Sequence, residues 1–287
     1  MMQQNLLKLY SFSTRQIFGI LFFLLPFLCA ATDLKPWFGN EYEAEFQSTL
    51  LYQNYHSIAT SERDKFRRDE NDLFLTLSAI YPFKRYSGEF EVTGAETRRQ
   101  KNRVDNVRVT GRYQWMDEDP LSIVTSLTLT GPFNRALKDI SSFHHGRVDV
   151  EGCISYGKKY GFFCSKDYEF RWWNVIGIGV ANQGSPWIRG DAACEYNYFN
   201  VHQFRGFIHT LWGTGKQPLR PYNFYGYGKI KHESVDLGVR YSYTAGPWGT
   251  WSIEYARRVH ARNFPKNTNL FLLEYYLPFG FQVYCNY

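Results

Sequence analysis

The ionisable residues of this 287-residue chain recur in sets two or four positions apart: Glu43 and Glu45, Glu89 and Glu91, Arg108 and Arg112, Asp236 and Arg240, Glu254 and Arg258. On an extended strand an even spacing puts both members of a set on one face. Such groups attract, repel or steer ions, or neutralise one another. Bond-making chemistry needs more, and its signatures are absent: no HExxH, GxSxG, GxGxxG, phosphate-binding or EF-hand loop occurs. His144 and His145 read as a solvated pair in a connecting loop, and His209 has Thr210 beside it but no Ser–His–acid set. No catalytic residue, metal ligand or cofactor-binding residue follows, and no cofactor is expected.

The charged sets sit in segments of two-residue period, the mark of half-buried strands. These are about ten residues long and are separated by Gly, Pro, Asn and charged clusters. They are Glu41–Tyr55, Asp72–Tyr81, Ser87–Thr97, Asn106–Met116, Leu121–Thr130, Arg147–Tyr156 and Tyr168–Val180. Trp187–Tyr196, Gln203–Trp212, Tyr222–Lys231, Ser234–Thr244, Thr250–His260, Asn269–Leu277 and Gly280–Tyr287 complete the series. That makes about fourteen strands, or about twelve if Gln203–Trp212 and Tyr222–Lys231, the least regular, merge or fail. In the first, Tyr42, Ala44, Phe46, Leu50 and Tyr52 share one face, and Glu41, Glu43, Glu45, Gln47, Thr49 and Gln53 the other. No proline falls inside an expected strand, as a ladder of backbone hydrogen bonds requires.

Lys8 and Arg15 precede an apolar run from Ile17 to Ala31. This pattern predicts a secretory signal peptide over residues 1–31, cleaved after Ala30 or Ala31. The run is shorter than the roughly 20 residues of a spanning helix, and no later segment is longer. The chain is 44% hydrophobic yet has a mean hydropathy of −0.43, with 22 Tyr, 24 Phe and 8 Trp. Rings with a polar tip suit a membrane–water boundary. The formal charge of +6 falls to about +4 without Lys8 and Arg15. With no basic stripe interleaved with aromatics, nucleic acid is excluded as a partner.

The chain ends on Phe281, Val283, Cys285 and Tyr287, alternating with Gln282, Tyr284 and Asn286. A terminal strand with an apolar face and a final aromatic resembles the closing strand of Gram-negative outer-membrane β-barrel proteins of the porin-like class. It departs from their usual form in ending on Tyr rather than Phe and in carrying Cys285. The resemblance implies one all-β domain over residues 32–287: a transmembrane antiparallel up-and-down barrel of about fourteen strands, twelve being the alternative. It implies the bacterial outer membrane as location, outer-membrane lipid and the barrel-insertion machinery as partners, and a homo-oligomer, often a trimer, as assembly.

On that reading the terminal strand pairs with Glu41–Tyr55. Pro82–Tyr86, Asp117–Pro120 and Lys231–Ser234 are then short periplasmic turns, and Ser57–Asn71 and Gly131–Gly146 are external loops. His260–Thr268 and Gly157–Asp167 are longer than this pattern predicts. Glu43, Glu45, Glu89, Glu91, Arg108, Arg112, Asp236, Arg240, Glu254 and Arg258 point into the lumen. There they form either an acidic wall facing a basic one across a water-filled constriction, or a salt-bridge network filling a narrow barrel.

Four cysteines follow residue 31. Cys153 and Cys164 are equidistant from Lys158-Lys159; a tight hairpin centred there opposes them at a separation a disulfide spans. The alternative is two isolated small apolar residues. Cys194 and Cys285 fall on lipid-side positions. The expected function is a passive channel for small hydrophilic solutes. Alternatives are a barrel enzyme acting on lipid, an adhesin-type surface barrel, and a soluble secreted β-sandwich.

Overall fold

The computed structural model describes residues 34–60, 66–161 and 168–280. Among them the two-residue alternation forms thirteen strands. They are β1 (Glu43–Ala59), β2 (Phe66–Phe83), β3 (Tyr86–Glu96), β4 (Arg103–Glu118), β5 (Leu121–Pro132), β6 (Asp149–Gly161) and β7 (Tyr168–Ala181). β8 (Trp187–Tyr198), β9 (His202–Gly213), β10 (Glu233–Thr244), β11 (Thr250–Arg262), β12 (Phe264–Lys266) and β13 (Asn269–Gly280) follow. Each long strand pairs antiparallel with the next, and β13 pairs with both β11 and β1. All strands but the three-residue β12 thus form a closed twelve-strand barrel without a free edge. β12 extends the seam, pairing with Ser57–Ala59 of β1 beyond the reach of β13.

Two expected strands differ. The seam runs from Asn54 opposite Asn269 to Glu43 opposite Gly280, so the expected Asn269–Leu277 continues through Pro278 and is itself the closing strand. Its length suffices, since a tilted transmembrane strand needs about 9–11 residues. Phe281, Val283, Cys285 and Tyr287, like the leader 1–31, lie outside the described residues. Tyr222–Lys231 is not a strand but part of the connection between β9 and β10. Its Phe224, Tyr227 and Ile230 come three residues apart and are buried in one cluster, a spacing no strand face provides. Gly226 there has φ +73°, which interrupts extended backbone. With one strand fewer, Lys231–Ser234 moves to the same end as Gly131–Gly146, and so does His260–Thr268. The longer connections therefore gather at one end (the loop end), and most short ones at the other (the turn end).

The cysteine register also differs. β6 continues straight through Lys158 and Lys159, which oppose Trp172 and Arg171. The hairpin is therefore not centred on the lysines. Cys153 opposes Gly177, is buried and is free; Cys164 lies outside the described residues. Cys194 is free and exposed.

The outer face carries Phe90, Val109, Leu127, Ile154, Ile176, Val239 and Ile253, all exposed. Tyr81, Tyr86, Trp115, Tyr160, Tyr198 and Trp248 ring the turn end. An apolar band edged by aromatics matches a lipid phase with its two-sided boundary, where an outward Arg or Lys costs about 2–4 kcal/mol at mid-depth. No described helix is long and apolar enough to cross a membrane; the strands do the crossing.

Both mouths of the barrel are filled. At the turn end residues 34–40 enter the lumen as a strap. Arg112 donates to the Lys35 carbonyl, and Ser122 Oγ and Gln114 Nε2 donate to the Pro36 carbonyl at 2.6 and 3.3 Å. Trp37 packs edge-on against Trp173 with centroids 5.9 Å apart. Gly157 makes this possible: a Cβ there would lie 2.7 Å from both Pro36 and Trp37. Gly157→Val should therefore expel the strap while leaving the ladder intact. Single-channel recording should show larger current steps, and tryptophan emission should shift to the red.

At the loop end, two connections fold inward, residues 133–148 and 214–232. Ile140, Leu219, Phe224, Tyr227 and Ile230 pack with Tyr55 and Ile58 of β1 and Phe264 of β12 in one buried cluster. Backbone bonds tie the two loops together: Gly226 N–H to Leu137, Tyr227 N–H to His144 and Gly228 N–H to His145, at 2.7 to 3.0 Å. Gly226 and Gly228 permit this approach, because a Cβ on either would come within 2.8 Å of the His145 carbonyl.

Candidate functional site

Between strap and loops lies a cavity of about 330 Å³ lined mainly by inward-facing side chains of the wall. All ten charged residues expected inside sit on inward strand positions. Glu45, Glu89, Glu91, Arg112, Asp236 and Arg258 are buried, and Arg108, Arg240 and Glu254 are half-buried. Glu43, half-buried at the turn end, accepts from Asn40 Nδ2 at 2.8 Å. Arg108, Asp236, Arg240, Glu254 and Arg258 border the cavity. Glu45, Glu89, Glu91 and Arg112 lie off it in the wall, Arg112 with its guanidinium 4.9 Å from the Phe38 ring.

The charges do not stand as an acidic wall facing a basic one. Those that border the cavity, together with Glu91, pair with neighbouring charges of the wall. Arg108 meets Glu91 at 3.0 Å. Arg258 holds Asp236 through two bonds of 2.7 and 2.8 Å. Arg240 bonds Glu274 and lies 3.8 Å from Glu254. The registers explain this: Glu91 is directly opposite Arg108, and Arg240 directly opposite Glu254. Opposite charges set side by side on one inner face close onto each other, because a bare charge in a narrow lumen gives up hydration without compensation.

Further residues of the same kind belong to this network. Arg189 pairs with Glu151 at 3.1 Å, and Trp187 Nε1 donates to the same carboxylate at 2.7 Å. Arg205 binds Glu195 through Nε and a terminal nitrogen, at 2.9 and 2.7 Å. His209 Nδ1 lies 2.9 Å from Asp191. Arg189, Asp191 and Glu195 share the parity of Trp187 along an expected strand, so extending the two-residue count would have found them. His209 sits on β9 with a carboxylate partner, but among the described residues no hydroxyl hydrogen-bonds to it.

The histidines of the loop are buried, contrary to a solvated pair. His144 Nε2 lies 2.6 Å from Asp105, which also accepts from Ser142 Oγ and Gln100 Nε2 at 2.6 and 2.7 Å. His145 stacks on Trp187 at 3.7 Å and faces His232 of the other loop, Nε2 to Nε2, at 3.3 Å. Burial pushes both imidazoles down: His145 falls well below its usual 6.5, helped by His232, His144 and Arg189, and His232 falls to about 4. Both rings are thus neutral at pH 7, and one N–H can be shared across the loop contact.

No family model matches the chain, and no curated protein matches it in sequence. Among solved structures it is similar to an outer membrane channel of Pseudomonas putida F1, with a TM-score of 0.64 and 10% identity over 88% of this chain and 100% of that one. It is also similar to the NanC porin, with a TM-score of 0.53 and 12% identity over 82% of this chain and 100% of the porin. At such identities the likeness is one of fold. The closed antiparallel strands, the apolar outer band and these two structures agree: the chain folds as a bacterial outer-membrane β-barrel.

Proposed function

We propose that the protein is a porin-like channel of the outer membrane, passing small water-soluble molecules passively. The observation that carries the reading is the lumen. Its polar and charged wall borders a real cavity, and what closes it at each end is a separate element laid into the mouth rather than the wall itself. The strap and the two loops hold by side-chain packing and a few hydrogen bonds, whereas the wall is a continuous ladder. Elements of that kind move before the barrel does. The fold shared with a channel and a porin supports the same reading. The state described is the closed one.

Reconstitution of the purified full chain in planar bilayers tests this. Discrete current steps with weak ion selectivity are expected, since the lumen charges neutralise one another in pairs. Absence of conductance from the wild type and from a loop-shortened variant, both shown folded by a heat-dependent gel shift, would overturn it.

A further inference from the structure

On one side of the cavity an apolar row runs across the wall between charged residues. Leu51 of β1 opposes Leu272 of β13, Leu270 opposes Ala256 of β11, and Phe207 of β9 opposes Ala193 of β8. Gly238 of β10 completes this row between Ala256 and Phe207. All face inward, and Leu51, Leu270, Leu272, Phe207 and Ala193 border the cavity directly. Toward the loop end the row is bounded by Asp191–His209 and Asp236–Arg258; toward the turn end it is bounded by Glu195–Arg205 and Arg240 with Glu254 and Glu274. An apolar belt thus lies between two charged tiers.

Packing within the wall accounts for only part of the belt: Leu51 also packs against Phe74 and Ala95, yet all three leucines are only half-buried and border the cavity. Beside them Gln53, opposite Leu270 on β1, is fully buried and borders the cavity. Its Nε2 donates to Asp72 at 3.4 Å, and its Oε1 has no donor from the protein. A buried acceptor next to an apolar surface is a recognition element for a molecule bringing one N–H or O–H with a hydrocarbon body.

We propose that this cavity is a binding site on the solute path for a small amphiphile without net charge: a ring-sized or branched apolar body with one hydroxyl or amide-type N–H donor. This rests on the channel reading and narrows its solute class from hydrophilic to amphiphilic. A charged solute meets tiers whose charges already engage one another and must displace a carboxylate or a guanidinium to bind there. A polyol fits the tiers but sets its hydroxyls against leucine. The belt and Gln53 together favour the single-donor molecule over both.

Calorimetric titration of the folded full chain in detergent tests the proposal with three probes of one ring size: cyclohexanol, glucose and cyclohexanecarboxylate. Saturable binding of cyclohexanol is expected, at least tenfold tighter than either of the others. In the same micelles, which cancels partition into detergent, Gln53→Leu and Leu272→Asn should each weaken cyclohexanol binding about tenfold. Equal or tighter binding of glucose or of the carboxylate overturns the proposal, as does cyclohexanol binding that neither variant changes. The wild-type comparison decides even if a variant fails to fold. Conductance recorded on the same preparation separates the two claims. Binding without conductance removes the channel and leaves the site; conductance without selective binding does the reverse.

Discussion

Replacing Thr214–Lys231 by an Asn-Gly turn should raise single-channel conductance several-fold while the barrel still assembles. The excised segment carries Leu219, Phe224, Tyr227 and Ile230, half of the buried cluster that fills the loop mouth. It also carries Gly226, Tyr227 and Gly228, whose N–H groups hold loop 133–148 through the carbonyls of Leu137, His144 and His145. Strands β9 and β10 pair from His202 opposite Tyr243 to Trp212 opposite Glu233, so their ladder does not depend on the loop. A two-residue connection suits such a hairpin. The check is the step size in planar bilayers together with the heat-dependent gel shift. An unchanged step size with a folded barrel would show that the constriction lies at the strap instead.

Acid should open the same mouth. His145 and His232 are neutral in the closed state, their pKa values pushed down by burial, and recover the ordinary 6.5 once the loops part and water reaches them. Between about pH 6.5 and pH 4 the open state therefore binds more protons than the closed one. The stabilisation of the closed mouth is complete above 6.5 and is lost as pH falls from there toward 4. For His232 alone the loss is on the order of 3 kcal/mol.

The surroundings do not offset this. His145 faces Trp187, His144, His232 and Arg189, with Asp149 no nearer than 3.9 Å. His232 faces Tyr227, Phe264, the Ile230 carbonyl and the Glu233 charge. His144 has its own acid in Asp105. Asp139 in the same loop acts in the opposite sense, since burial holds its carboxyl above the usual range. The double variant H145Q/H232Q isolates the histidine part: current recorded from neutral pH down to about 4 should rise for the wild type and should not rise for the variant.

These two expectations concern the part of the molecule that was hardest to read in the sequence. The wall was legible because a strand's side-chain period is local. Glu89, Glu91, Arg108 and Arg112 declare their face by counting in twos, and the same count gives the outward Phe90 and Val109. The closing partner of β1 is β13 and not the terminal aromatics; alternation alone does not say which of two neighbouring segments pairs with the first strand. The loops were opaque for a different reason. Phe224, Tyr227 and Ile230 are buried only because Tyr55, Ile140 and Phe264 meet them, contacts far apart along the chain. Likewise the strap needs Gly157, more than a hundred residues downstream, and nothing in residues 34–40 announces it. The pairing of lumen charges was half legible: the residues were visible, but their mutual neutralisation depends on register across strands.

The strap has a further consequence for how the barrel comes together. It leaves β1 at Glu43 and reaches Trp173 of β7, halfway around a ring of twelve, and is therefore a chord across the cylinder's width. In a sheet not yet joined at β1 and β13, such a chord already ties the first edge to the middle. The free edge then has a shorter search to its mate, which lowers the entropic cost of the last closure.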